Sequence, residues 1–364
     1  MAEVTKEETL KKIEELVSEM KDKAFNAYFF VIDTKGSPDG SVQYTYDIAY
    51  GLYTLGYKVT MVHQEEEFEG PFAWLGEKYK ELQHERIDNK QLIVSPVDFF
   101  FCCDAFASIL PQVKNLPCKK ILLYNNPDYF IQSIPIAASL DDLKVNTVIA
   151  ATDKLAEQMV SYHFKGVGVG IVRQAIKPKF MPSDSTRKLL VNILASDPND
   201  VSKIVKPFFW KYPAYKWISF RDLSHVTQDL FADSLKESAI SIWINDDTNN
   251  AQQLLEARVA GNVVIAKVPD KVPSILTEVN QETGNVELRN DIIWFTDMDE
   301  IYNVIASVVR AWTKDEIVER FVEPAPIVNS LTAQMEDIKR TIVENIFDAR
   351  QKELELVLSK EKTE

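Results

Sequence analysis

The run QQLLEARVAGNVVIA, Gln252 to Ala266, sets one acid, Glu256, among apolar residues that stop at Gly261 and resume as the strand-like VVIA. A helix packed on a sheet gains nothing from a carboxylate there unless that turn borders a cleft with a ligand in it. Ligands of open α/β sheets gather outside the carboxyl ends of the strands, where helix N-termini also present free N–H groups and positive dipole ends. A carboxylate near such a helix start can accept both hydroxyls of a ribose. The plainer reading leaves Glu256 complementing its own helix dipole or pairing with Arg258 or Lys267. Just upstream, INDDTNN holds Asp246 and Asp247, and reads as a polar turn whose oxygens cap a helix beginning near Asn250.

Other residues with chemical potential are scattered. The loop KGSPDGS, Lys35 to Ser41, follows an apolar run, and Gly36 and Gly40 let its backbone turn sharply and approach a ligand. Ser41 is placed to cap the next helix, and the Gly-Lys-Ser/Thr ending of a P-loop is missing. Asp104 closes VDFFFCCD, either as a base at a strand end or as a helix cap. Of the four histidines, His63 ends a strand, His84 and His225 lie in polar surroundings and His163 sits in a helix. No two stand at ligand spacing, so no metal site is expected. The acidic run EEEFE, Glu65 to Glu69, reads as a solvated loop. Dispersed aromatic residues read mostly as core, with Trp74 in the Pro-flanked EGPFAWLGEKY the best candidate for an exposed ring.

These residues need a scaffold, and the patterning supplies one. AYFFVID (Ala27 to Asp33), a helical pattern from Val42 to Gly56 and the strand YKVTMVH form a strand, loop, helix, strand unit. Such a unit calls for a right-handed crossover and a parallel sheet covered on both faces. QLIVS, VDFFFCC, KKILLYN and TVIAA are further strand candidates. Prolines 178 and 182 break the pattern and set a boundary near residue 182. A second alternation runs through KLLVNILAS, YKWISF, AISIWIN, VVIA and DIIWF. From Ser330 to Lys360 the chain is helical, with Met335, Ile338, Ile342 and Ile346 spaced as one buried stripe. The expectation is two tandem Rossmann-like α/β domains, residues 1–182 and 183–329, with a helix over 330–364 that returns to the first.

Composition narrows the class. The 364 residues are 46% hydrophobic, more than one core usually serves. The net charge of −14 disfavours nonspecific nucleic-acid binding. Three cysteines, Cys102, Cys103 and Cys118, form no even disulfide framework and no metal spacing, which suits a reducing compartment. The first 23 residues read as a charged amphipathic helix with Leu10, Ile13, Leu16, Val17 and Met20 on one stripe and no signal-peptide core. No apolar run approaches the roughly 20 residues that span a bilayer. A cytoplasmic location is the simplest expectation.

Tandem α/β domains, a proline hinge and LLEARVAGNVVIA two thirds along the chain together resemble the GT-B fold glycosyltransferases, above all the large retaining family that uses nucleotide sugars. The residues that carry the resemblance are Glu256, Ala257, Gly261, Val263, Val264, Ile265 and Ala266, in outline over nearly the whole chain. It implies a donor site in the second domain, with Glu256 on the ribose and the diphosphate on the helix start at Asn249, Asn250 and Ala251. The nucleotide sugar would be the donor substrate, with no further cofactor, the acceptor unknown and the domains closing about residues 178 to 184. The KGSPDGS loop, with Gly36, Gly40 and Ser41, would face the cleft toward acceptor or donor phosphates, and Asp104 would stand where the family often has a histidine. Departures accompany the resemblance. Where the family has a first glutamate, eight positions before the second, this chain has Thr248, with Asp247 and Asp246 beside it. The family's Gly-Arg pair is missing from NILASDPNDVSKIVKPF, and Lys203, followed by Lys206, is the basic residue at a comparable place.

Two other classes stand beside the transferase: a protein of this shape that has lost turnover and serves as a binding or assembly component, and a two-domain binding protein of the periplasmic kind.

Overall fold

The computed structural model describes residues 6–87, 92–182, 186–195, 198–224, 226–244, 251–269, 272, 276–280, 283–325 and 329–363. The hydrophobic runs become two parallel sheets. The first holds β1 (Asn26–Phe30), β2 (Lys58–His63), β3 (Gln83–Arg86), β4 (Phe99–Cys103), β5 (Lys119–Tyr124), β6 (Thr147–Ala150) and β7 (Gly168–Ile171), in the order β3-β2-β1-β4-β5-β6-β7. Every neighbouring pair in it is parallel. All five residues of β4, FFFCC, are buried, as expected of a strand covered on both faces. Phe29 of β1 is in register with Phe101 of β4, and their rings stack with centroids 4.3 Å apart.

The second sheet holds β8 (Lys188–Leu194), β9 (Ser219–Asp222), β10 (Ser238–Trp243), β11 (Val263–Lys267) and β14 (Ile293–Phe295), in the order β14-β11-β10-β8-β9, again parallel. β12 (Thr277–Val279) and β13 (Val286–Leu288) form a separate antiparallel ladder that the apolar pattern gives no sign of. In each sheet the strand order reverses once, between β1 and β4 and between β10 and β8. Those are the crevices where doubly wound folds hold ligands.

The C-terminal segment returns to the first sheet. Ile338, Ile342, Phe347 and Leu354 are buried in the same core as Val17, Phe25, Phe99 and Leu52, while Met335 and Ile346 pack at its edge. Gly51 admits this approach: a Cβ there would lie 2.5 Å from Ile338 Cδ1. The N-terminal helix Lys6–Lys21 lies along the last helix, Asp348–Thr363, with ion pairs Lys21–Glu355 at 3.1 Å and Lys362–Glu14 at 2.6 Å.

Several local expectations change. Of QLIVS, Leu92 to Ser95 is irregular chain, and the edge strand is instead the polar QHER of β3. His163 lies in the turn after the Asp153–Ser161 helix, with φ of 54°. Trp74 is 3% exposed, its Nε1 donating to Thr34 Oγ1, so it offers no surface ring. His84 sits among Tyr46, Phe68 and Phe72 rather than in polar surroundings. His225 lies outside the described residues. Among the described residues no helix is long and apolar enough to cross a membrane, and no group of three or more His, Cys, Asp or Glu is placed to hold a metal ion.

Candidate functional site

At the crevice of the first sheet, β1 runs out into Val31–Asp33 and the glycine loop. Ser37 N–H closes a turn on Thr34 O, and Gly36 at φ +78° supplies the left-handed step that a side chain would resist. The helix Gly40–Thr54 is capped by Asp39, whose Oδ1 accepts from Val42 N–H at 2.9 Å. Ser41, the expected cap, is therefore already inside the helix and buried, with Gly40 as its first residue.

Asp104 stands at the end of β4, fully buried. Its Oδ1 accepts from its neighbour Ala105 N–H at 2.9 Å, and its Oδ2 accepts from Asn125 N–H at 2.6 Å and from Asn126 N–H. The carboxylate thus ties the end of β4 to the end of β5, where Asn126 caps the helix Pro127–Ser133. Burial pushes its pKa up to about 6, against the opposing pull of the Asn126 and Asn125 amides, the Ser41 hydroxyl and the Ala105 amide. Ser41 Oγ lies near enough to favour the carboxylate, yet makes no hydrogen bond within ordinary limits.

Glu256 is in the helix Ala251–Val259, 2% exposed. Arg258 does not pair with it. That guanidinium turns the other way, donating to the carbonyls of Asn262, Phe321, Arg320 and Glu323 at 2.7 to 2.9 Å and to Asp291 Oδ2 at 3.3 Å. Among the described residues Oε1 of Glu256 has no hydrogen-bond partner, and neither amide atom of Gln252, one helical turn earlier on the same face, has one. Burial raises the Glu256 pKa, and the charges of Lys177 and then Lys179 oppose the rise.

Lys177 belongs to the segment joining the two sheets, one residue before the hinge expected at 178 to 184, and nothing in the sequence marks it. Its Nζ is 3.3 Å from Asp47 Oδ1, 3.2 Å from Tyr79 Oη and 3.2 Å from Gln228 Oε1. Asp47 and Tyr79 come from the first sheet's side, and Gln228 from the helix Gln228–Glu237 of the second. Gln228 Nε2 in turn donates to Gln43 Oε1 at 2.7 Å, and Tyr79 Oη donates to Asp47. Burial lowers the Lys177 pKa, and Asp47 and then Glu256 hold it up. A carboxyl with an unpartnered oxygen, an unpartnered amide and a buried ammonium therefore share the junction of the two halves.

The remaining sequence candidates fall elsewhere. Lys203 is exposed on the helix Pro198–Lys211 and pairs with Asp200 at 2.6 Å. Asp246, Asp247, Thr248, Asn249 and Asn250 lie outside the described residues, as do residues 183 and 184 of the expected hinge.

No family model matches the sequence, and no curated protein matches it. Solved structures do match the fold. Anabaena Alr3699/HepE in complex with UDP and glucose superposes with a TM-score of 0.52 over 92% of this chain and 100% of its own, at 11% identity. The pneumococcal O-GlcNAc transferase GtfA in complex with UDP and GlcNAc gives 0.52 over 92% and 99%, at 9% identity. The apo lipopolysaccharide outer core galactosyltransferase WaaB gives 0.51 over 88% and 100%, at 11% identity. The chain has the GT-B fold. That covers the two parallel sheets and the C-terminal helix docked on the first, as the alternating pattern and the LLEARVAGNVVIA run led one to expect.

Proposed function

We propose that the protein transfers a sugar from a nucleotide-diphosphate donor to an acceptor, with retention of configuration. The reading is carried by Glu256: a buried carboxyl whose Oε1 has no partner, beside the unpartnered Gln252 amide at the junction of the two halves of a GT-B fold. Each buried polar atom left without a hydrogen bond costs about 1–3 kcal/mol, and such atoms in a native protein call for an explanation. The two hydroxyls of a ribose would satisfy the carboxylate, and a neighbouring ribose or sugar oxygen the amide. In this reading the diphosphate rests on the helix start at Asn249, Asn250 and Ala251, with Thr248 and Asp247 toward the sugar. The cations of this reading are Lys177 and Lys179, whose charges act on Glu256, and Lys203, one turn into its helix; each is already in an ion pair, with Asp47, Asp229 and Asp200 respectively. The acceptor would enter from the Gly36–Ser41 side, where Asp104, enclosed and bonded to three backbone amides, shapes the β4 and β5 ends rather than meeting the substrate.

Titration calorimetry with UDP, GDP and ADP tests this. One nucleotide should bind, and Glu256→Ala should weaken it about 10- to 100-fold, the loss of one or two hydrogen bonds to a charged group. No binding by any of the three would end the proposal. Binding without transfer or hydrolysis of any matching nucleotide sugar would leave a binding protein of the same shape.

A further inference from the structure

The chain carries a net charge of −14, yet between Asp200 and Asp222 it has no acidic residue and five basic ones, Lys203, Lys206, Lys211, Lys216 and Arg221. The same stretch, KPFFWKYPAYKW from Lys206 to Trp217, holds two tryptophans that are 77% and 57% exposed, Trp210 and Trp217. The helix Pro198–Lys211 explains the arrangement. Ile204 and Phe208 point into the second sheet's core, which leaves Lys203, Lys206 and Trp210, at i, i+3 and i+7, along the opposite, exposed stripe. The turn Pro213–Tyr215 then carries Lys216 and Trp217 outward, while Tyr215 stacks on the buried Phe208 ring and Tyr212 packs tilted against it, which fixes the base of the protrusion. Of the five cations, Lys203 is held by Asp200 and Arg221 by Glu237, and Lys206, Lys211 and Lys216 are exposed around the tryptophans.

We infer that this protrusion docks the protein on an anionic lipid surface, with Trp210 and Trp217 entering the headgroup layer and Lys206, Lys211 and Lys216 meeting the lipid phosphates. Tryptophan favours that layer because its ring is apolar at one end and hydrogen-bonding at the other. Lysines near an anionic surface add attraction that decays within a Debye length of about 8 Å, so charges at this patch weigh more in the contact than the net charge of the whole chain. A nucleic acid is the weaker match. Stacking platforms for bases sit in basic grooves, and a tryptophan 77% exposed stands on a projection. The inference is independent of the glycosyl-transfer reading.

The full-length protein is sedimented with vesicles of phosphatidylcholine alone and of equal parts phosphatidylcholine and phosphatidylserine, with tryptophan emission recorded. Binding is expected with the anionic vesicles only, accompanied by a blue shift and weakened by salt. Trp210→Ser with Trp217→Ser should abolish the shift, and Lys206→Glu with Lys211→Glu should lower the partition coefficient by about tenfold or more. Both pairs are exposed, and an unchanged circular dichroism spectrum confirms that the variants fold. The inference is overturned if the anionic vesicles do not bind the protein or if the variants bind as well as the parent. It is equally overturned if a single-stranded oligonucleotide binds more tightly and displaces the vesicles.

Discussion

Lys177 Nζ lies 3.3 Å from Asp47 Oδ1 in an ion pair whose side chains are 7% and 6% exposed. The pair fastens the segment between the sheets to the helix Gly40–Thr54, and through Gln228 it reaches the second half as well. Neither charge has water to fall back on. Asp47→Leu or Lys177→Met alone should therefore cost about 3–5 kcal/mol, most of it the penalty on the charge left behind. The double variant Asp47→Leu with Lys177→Met should recover much of that loss. Urea unfolding of the four proteins gives the coupling, and a double variant as unstable as the sum of the singles would show that the pair is not a unit.

Arg258 is a second buried cation, but its work is structural. Its planar fork reaches four carbonyls, three of them in the Arg320–Glu323 segment, so it ties the helix Ala251–Val259 to the chain that leads away from the second sheet. A lysine carries the same charge on one nitrogen and cannot span those acceptors. Arg258→Lys should lower stability by at least about 3 kcal/mol, since each lost bond to a charged donor is worth about 1.5–3 kcal/mol and only one or two of the four can be kept. Hydrogen exchange should quicken in residues 319–325 before it quickens in β4. Equal protection in parent and variant would refute the clamp.

Much of this architecture can be read from the sequence because a parallel sheet leaves a plain mark: strands covered on both faces are short unbroken apolar runs, and FFFCC, KILLY and VVIA are found where they were expected. The edge was misread for the same reason. QLIVS has the composition of a buried strand, but Ile93 is 89% exposed and among the described residues no strand pairs with Leu92 to Ser95, while QHER bonds to β2 through its backbone and keeps polar side chains at the rim. Glu256 was visible as an acid out of place in an apolar run. Lys177 was not, because nothing near it in the chain announces its burial: Tyr79 lies 98 positions before it and Gln228 51 after. Trp74 shows the converse, a ring in a proline-flanked stretch that forms the short helix Phe72–Leu75 and packs into the first core, with its Nε1 on Thr34.

Asp104 gives the stability a pH dependence of definite sign. Its pKa rises from 3.8 in the unfolded chain to about 6 in the folded one. Between those values the native state keeps a proton that the unfolded state has lost. Stability from this group is therefore greatest below pH 4 and declines as the pH climbs through 6, by about 3 kcal/mol in all at 1.36 kcal/mol per unit. Glu256, raised by burial, acts in the same direction, whereas carboxylates held down by partners, such as Asp291 beside Arg289 and Arg258, act in the opposite one. The Asp104 contribution must accordingly be taken as a difference between proteins. Asp104→Asn cannot ionise and turns one amide nitrogen toward backbone N–H groups, so it should be less stable than the parent at pH 4. That deficit should shrink by about 2 kcal/mol between pH 4 and pH 7, as the parent alone takes on the buried charge. Urea unfolding of both proteins at the two pH values measures the change, and a deficit that stays constant would mean that Asp104 titrates as an ordinary carboxylate.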